Sequence, residues 1–153
     1  MSILPIFIPH AGCPHQCVFC NQKTISGQKL AAVAGAKEQL ARWRSWLRPS
    51  VVNEAAFYGG SFTGLPLELQ EELLALTDAL LAEGFIGSVR LSTRPDYIDE
   101  ERLQLLQCHG VRLVELGVQS LDDRVLAAAE RGHTAAQVAP AVALLKRFGF
   151  QVG

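Results

Sequence analysis

Three cysteines stand within eight residues of one another near the start of the chain. They lie in Gly12-Cys13-Pro14-His15-Gln16-Cys17-Val18-Phe19-Cys20-Asn21, a C-x3-C-x2-C spacing. Three soft thiolates on one short loop can converge on a single inorganic centre, and sulfur donors of this kind suit iron–sulfur clusters. Three is one ligand short of a closed tetrahedral zinc site or a fully ligated cubane cluster. A cluster held this way keeps an open coordination position at one iron, where a substrate or cofactor can bind. The alternative is a zinc site completed by Cys108, His10 or His15. Cys108 lies far along the chain in a helical pattern with Leu103 and Leu106, where a cysteine is expected to pack as a small buried hydrophobe. In a reducing compartment the four cysteines stay unpaired, so tight spacing points to metal or catalysis rather than to disulfides.

The elements that must position this loop follow from short apolar runs alternating with helical patterns. Ile3 to Ile8 reads as a strand leading into the cysteines. A helix over Lys37 to Arg48 presents Leu40, Trp43 and Leu47 on one face. A second strand, Ala55 to Tyr58, ends in Gly59-Gly60, and Pro66 suits the first turn of the next helix. That helix carries an apolar stripe of Leu69, Leu73, Leu76 and Leu80, and Gly84 can stop it. Ser88 to Ser92 is a third strand, and Asp99 can cap a helix that ends near Gly110. Val111 to Val118 is a fourth strand. Ser120 with Asp123, and Thr134 with Gln137, then read as capping boxes of two further helices. Pro140 inside the second of these is expected to kink it or remove a hydrogen bond, and Phe150 to Gly153 opens a fifth strand. Repeated strand–helix units imply parallel pairing, in an open doubly wound sheet or a barrel wall. The reading adopted is an α/β fold, a partial (β/α) TIM-like barrel of about four and a half βα units. A complete eight-unit barrel needs roughly 200 residues or more. Residues 1–153 are therefore expected to be one domain cut at its C-terminal end.

Several residues at the strand ends could serve a ligand held by the cysteine loop. Paired glycines at a strand end, Gly59 and Gly60, let a ligand approach the backbone, although an ordinary turn would use them equally well. In Val114-Glu115-Leu116-Gly117-Val118-Gln119, a period of two puts Glu115, Gly117 and Gln119 on the face opposite the apolar residues. A buried Glu115 needs partners, either within a polar network or from a substrate. Arg131 sits in a break between helices as either a surface arginine or a carboxylate clamp, and Ser92, Thr93 and Arg94 end the third strand.

Cys13-Pro-His-Gln-Cys17-Val-Phe-Cys20 resembles the signature of radical S-adenosylmethionine (SAM) enzymes. The resemblance implies that Cys13, Cys17 and Cys20 hold a [4Fe–4S] cluster whose open iron chelates the amino and carboxylate groups of SAM. It further implies that an electron from a flavodoxin- or ferredoxin-type donor cleaves SAM to methionine and a 5′-deoxyadenosyl radical, which abstracts hydrogen from a substrate. By the same resemblance Phe19 lies near the adenine, and Tyr58, Gly59, Gly60 and Ser61 meet the SAM amino group through the main chain. Ser61 stands where many members carry Glu. By topology Thr93 is expected on the cofactor side, and in a barrel the polar face of the fourth strand, with Glu115, is expected toward the lumen, making Gln119 the candidate ribose contact; the resemblance implies that Arg131 lies near the SAM carboxylate. Tyr58-Gly-Gly-Ser-Phe-Thr63, Thr93-Arg-Pro-Asp-Tyr-Ile98, and Val114-Glu-Leu-Gly-Val-Gln-Ser-Leu121 with Arg131-Gly-His-Thr134 look like the radical SAM domain of the Elongator catalytic subunit. The Gly-Val-Gln-Ser region is also similar to the oxygen-independent coproporphyrinogen III oxidases. The substrate stays open between an RNA such as tRNA and a porphyrin, with a non-enzymatic zinc or iron–sulfur module as the third reading. No catalytic side chain is singled out.

Composition bounds these readings. Hydrophobic residues make up 49% of the 153, enough to fill a core and too many for a disordered tail. Fourteen basic against fifteen acidic residues leave a net charge of −1, so phosphate neutralisation cannot be the main source of affinity for nucleic acid. No DNA partner is expected. The N-terminus has no basic n-region of a signal peptide, and no apolar run approaches a membrane span, which makes the cytoplasm the expected location and excludes a membrane partner.

Overall fold

The computed structural model describes residues 2–8, 13, 17–20, 32–47 and 53–153. Five strands, β1 (Ser2–Phe7), β2 (Asn53–Tyr58), β3 (Ile86–Thr93), β4 (Val111–Leu116) and β5 (Gln151–Val152), form one sheet in the order β1-β2-β3-β4-β5. Every neighbouring pair is parallel. A doubly wound sheet would reverse its strand order at a switch point; this one never does, which is the progression of a barrel wall. The crossovers carry helices α1 (Ala32–Trp46), α2 (Leu67–Ala82), α3 (Glu100–Cys108), α4 (Asp123–Ala128) and α5 (Val138–Arg147).

Alternation along the strands separates two faces. Leu4, Ile6, Ala55, Phe57, Val89, Leu91 and Val114 have no exposed surface and form the core with Leu73, Leu74, Leu103, Leu106 and Leu145 of the helices. Each of the Leu, Ile, Val and Phe side chains contributes about 1.5–3 kcal/mol by leaving water. The other face is polar at its centre. Arg90 donates through Nε to Glu54 Oε2 at 2.7 Å and through Nη1 to Glu115 Oε1 at 3.3 Å. Ser88 donates to Glu54 at 2.9 Å and Ser92 to Glu115 at 3.0 Å. These bonds supply the partners that the buried Glu54 and the half-buried Glu115 require. The register explains them, because Glu54 pairs with Ser88, and Ser92 with Glu115, across neighbouring strands.

At the outer edge of the sheet, α1 covers β1. Gln39 accepts from the Phe7 backbone N–H at 2.8 Å and donates to the Phe7 carbonyl at 2.9 Å, while the Trp43 indole donates to the Pro5 carbonyl at 2.8 Å. Helix α1 begins at Ala32, ahead of the expected Lys37, and Arg48 lies outside the described residues.

Other expectations are corrected by local chemistry. The buried stripe of α2 is Gln70, Leu73, Leu74, Thr77 and Leu80, with Leu69 and Leu76 at its margin. Gln70 and Thr77 can be buried because their side chains donate to the carbonyls of Leu65 and Leu74, each at 2.7 Å. Asp99 caps α3 as expected, accepting from the Arg102 N–H at 2.9 Å. Helix α4 is capped by Asp122 rather than Ser120; Asp122 accepts from Arg124 N–H, and Ser120 Oγ accepts from the Asp122 N–H. Cys108 is exposed, not buried, because it is the last residue of α3. Pro140 lies in the first turn of α5, after a 3₁₀ turn at Ala135–Gln137, where its missing N–H removes no bond the helix needs. The Thr134–Gln137 capping box is present.

Candidate functional site

The strand ends and the cysteine loop enclose a cavity of about 370 Å³, at the carboxyl ends of β2, β3 and β4. That volume suits a ligand of nucleoside size. Cys13, Phe19 and Cys20 line it from the loop. Tyr58, Gly59, Gly60 and Ser61 line it from the end of β2, and Ser92, Thr93 and Arg94 from the end of β3. Glu115, Leu116, Gly117, Gln119 and Arg131 complete the wall.

Two glycines shape this wall. Gly59 has φ +117°, and a Cβ there would stand 2.4 Å from the Ile8 carbonyl oxygen, so no other residue fits without moving backbone. The chain is held this close because the Ile8 N–H donates to the Tyr58 carbonyl at 2.8 Å. At Gly117 a Cβ would meet Arg131 Nη2 at 2.8 Å. Glycine lets that guanidinium come close to the strand end, with Nη2 donating to the Gly117 carbonyl at 2.5 Å. Behind the wall, Ser61 and Thr93 share a hydrogen bond of 2.8 Å, and Thr63 and Thr93 one of 2.5 Å. These hydroxyls lock the β2 turn to the end of β3, leaving the Ser61 side chain almost fully buried.

The cysteine loop is anchored from below. The Val18 N–H donates to the Ala129 carbonyl at the end of α4, and the Cys20 N–H to the Cys17 carbonyl. Cys17 is buried, and Arg131 Nη1 donates to its Sγ at 3.5 Å. Burial pushes the Cys13 thiol up, against the Ser61 backbone hydrogen bond and the charges of Arg94 and Arg131. Among the described residues no three Cys, His, Asp or Glu side chains already stand in metal-holding geometry; Cys13 and Cys20 face the cavity, while Cys17 is turned to Arg131. His10 and His15 lie outside the described residues. The donor set still fits an anionic iron–sulfur cluster. It offers three soft thiolates on one loop, beside a cavity, with two buried guanidinium groups to offset the negative charge.

The sequence-predicted residues are thus brought together, apart from Cys17, which sits behind the wall and touches it through Arg131. Gln119 reaches the cavity by a different route from the one expected. Strand β4 stops at Leu116, so the period of two ends there, and Gln119 adopts φ +67°, a left-handed turn that brings it back to the wall. Arg131 is buried, which discounts a surface role. Sequence reasoning underrated Arg94 and Gly117. The signals were an arginine at a strand end before Pro95-Asp96 and a glycine two residues before Gln119.

Comparison with known proteins places these features in a family context. The family described as the Radical SAM superfamily matches residues 7–153. A tRNA uridine(34) acetyltransferase of Dehalococcoides mccartyi is 42% identical over 62 residues, covering 40% of this chain and 14% of its own length. Elongator complex protein 3 of Saccharomyces cerevisiae is 30% identical over 117 residues, covering 65% of this chain and 21% of its own. The solved structure of coproporphyrinogen III oxidase (HemN) from Escherichia coli, a radical SAM enzyme, superposes with a TM-score of 0.66 at 20% identity, over 97% of this chain and 35% of that one. The chain spans less than half the length of the curated relatives it matches.

Proposed function

The chain belongs to the radical SAM superfamily, and from that premise we propose that it binds a [4Fe–4S] cluster through Cys13, Cys17 and Cys20 and SAM in the adjoining cavity. The observation that carries the proposal is the single cavity shared by two of those cysteines, the Gly59-Gly60 turn, Gln119 and Arg131. When bound, the pair supplies reductive SAM cleavage and a 5′-deoxyadenosyl radical for hydrogen abstraction. The chain's own residues position and shield. The Gly59-Gly60 backbone, with Tyr58 lining the cavity beside it, would receive the SAM amino group, and Ser61 braces that turn from behind. Arg131, held by the Gly117 carbonyl, offers its charge to the carboxylate. Gln119 would meet the ribose and Phe19 the adenine from the loop side, while Thr93 holds the wall's shape. Glu115, fixed by Arg90 and Ser92, faces the side from which a substrate would enter.

The substrate class we propose is an RNA of the tRNA type, supported by the acetyltransferase and Elongator relatives. The likeness to HemN supports a porphyrin as the second reading. A flavodoxin- or ferredoxin-type protein is the proposed electron donor and the cytoplasm the proposed location; no helix among the described residues is long and apolar enough to cross a membrane. We also take the chain as part of a longer radical SAM core. Anaerobic reconstitution with iron and sulfide tests the site. Four irons per chain and a SAM-dependent change in the electron paramagnetic resonance signal are expected, lost in Cys13→Ala, Cys17→Ala and Cys20→Ala and kept in Cys108→Ala. Stoichiometric zinc without iron–sulfur absorption would refute it. Reductive SAM cleavage, compared in the presence of tRNA and of a porphyrinogen, separates the two substrate readings.

A further inference from the structure

Among the described residues Arg94 is the largest fully buried side chain, only 2% exposed, and it lies in the wall shared with Cys13 and Cys20. A buried guanidinium needs a reason, since an arginine is almost never fully buried unless paired. Its pairing is one-sided. Nε donates to Asp96 Oδ1 at 2.9 Å and Nη2 to Asp96 Oδ2 at 2.8 Å, a fork that fixes the plane of the group. Nη1 has no hydrogen-bond partner among the described residues. Asp96 belongs to the 3₁₀ turn Pro95–Tyr97, directly after β3, so clamp and arginine move as one rigid corner. Arg94 is further held by its own backbone N–H, which donates to Ser61 Oγ at 3.3 Å. The result is a fixed positive charge at the cysteine loop with its negative partner set to one side.

We infer that the Arg94–Asp96 corner is a positioning device that sets the reduction potential of the cluster, an inference that rests on the function proposed above. Reduction takes one electron from the donor and no proton, so the thiolate-held cluster gains one negative charge. A cation fixed in a low-dielectric wall stabilises the more negative state and raises the potential, and the clamp's carboxylate opposes it. Arg131 works in the same direction through its N–H to Cys17 Sγ, but it also belongs to the proposed SAM site, whereas Arg94 has no other assignment.

The test is a mediated dithionite titration of the reconstituted chain, followed by electron paramagnetic resonance, for wild type, Arg94→Gln, Arg94→Lys and Asp96→Asn. Arg94→Gln is expected to lower the reduction equilibrium constant about tenfold, which is about 59 mV for one electron. Asp96→Asn is expected to shift it the opposite way, and Arg94→Lys to stay between wild type and Arg94→Gln. A merely structural role moves both corner residues in the same direction or moves neither, and either result overturns the inference. If circular dichroism shows Arg94→Gln unfolded, the sign of the Asp96→Asn shift decides alone. A wild type that assembles no cluster removes the proposed function and this inference together, whereas a cluster with unmoved midpoints removes only this inference.

Discussion

Replacing Gly59 by Ala is the sharpest test of how the wall of the cavity is built. The residue has φ +117°, a region that L side chains rarely adopt, and holding a non-glycine there costs about 1–3 kcal/mol. The new Cβ would also lie 2.4 Å from the Ile8 carbonyl oxygen, a backbone atom that cannot swing aside. Relieving the contact means parting β1 from the turn and giving up the 2.8 Å bond from Ile8 N–H to the Tyr58 carbonyl, about 1 kcal/mol more. The expected loss is about 2–4 kcal/mol, a large share of the 5–15 kcal/mol that holds a typical domain folded. At about 2–4 °C per kcal/mol for a chain of this length, the melting temperature should fall by roughly 10 °C. Gly84→Ala is the control. Gly84 has φ +68° and nothing within 4 Å of a Cβ, so only the left-handed backbone is penalised, by about 1–2 kcal/mol. Urea unfolding of the two variants side by side gives the comparison. A Gly59→Ala loss no larger than that of Gly84→Ala would refute the close-approach argument.

Two further predictions concern Arg131 and the residues beside it. Gly117→Ala should push Arg131 Nη2 off the strand end, lowering SAM affinity about tenfold in calorimetry of the reconstituted protein while costing about 1 kcal/mol of stability; unchanged affinity would remove Arg131 from the SAM site. His133 is buried, and its pKa lies below the ordinary 6.5 because burial disfavours the imidazolium and Arg131 repels it. The unfolded chain therefore binds the proton first, so stability is full above pH 6.5 and declines as pH falls through and below that value. Urea midpoints from pH 8 to pH 5 should show this decline, and His133→Asn should flatten it.

Features whose cause is local were legible in the sequence. The strand before the cysteine loop, the Asp99 cap, the Thr134–Gln137 box and the polar lumen residue Glu115 each depend on neighbours a few residues away or on a strand's period. Errors arose where two local candidates competed. Asp122 outcompeted Ser120 as the cap of α4 because its carboxylate reaches Arg124 N–H and also pairs with the Arg124 side chain. Extending the period of two past Leu116 failed because the backbone turns just after Gly117, where the Val118 N–H folds back to donate to the Leu116 carbonyl at 2.8 Å. Contacts between distant parts of the chain were not legible at all. Arg131 meets Cys17 across 114 positions, and Gly117 is required by Arg131 rather than by any neighbour. No spacing rule encodes such pairs; they exist only once the sheet has brought strand ends and loop to one side.

The cover that Gln39 and Trp43 place on β1 closes part of that edge of the sheet. In a parallel ladder the outward-facing groups of an edge strand are the template on which the next strand condenses. On β1 those groups, at Pro5 and Phe7, are already satisfied by side chains of the helix that follows it in the chain. An incoming strand would gain no hydrogen bonds there without stripping the amide and the indole of theirs. At these two positions the edge of β1 is therefore closed to a further strand, in the manner of a zip fastened to its stop.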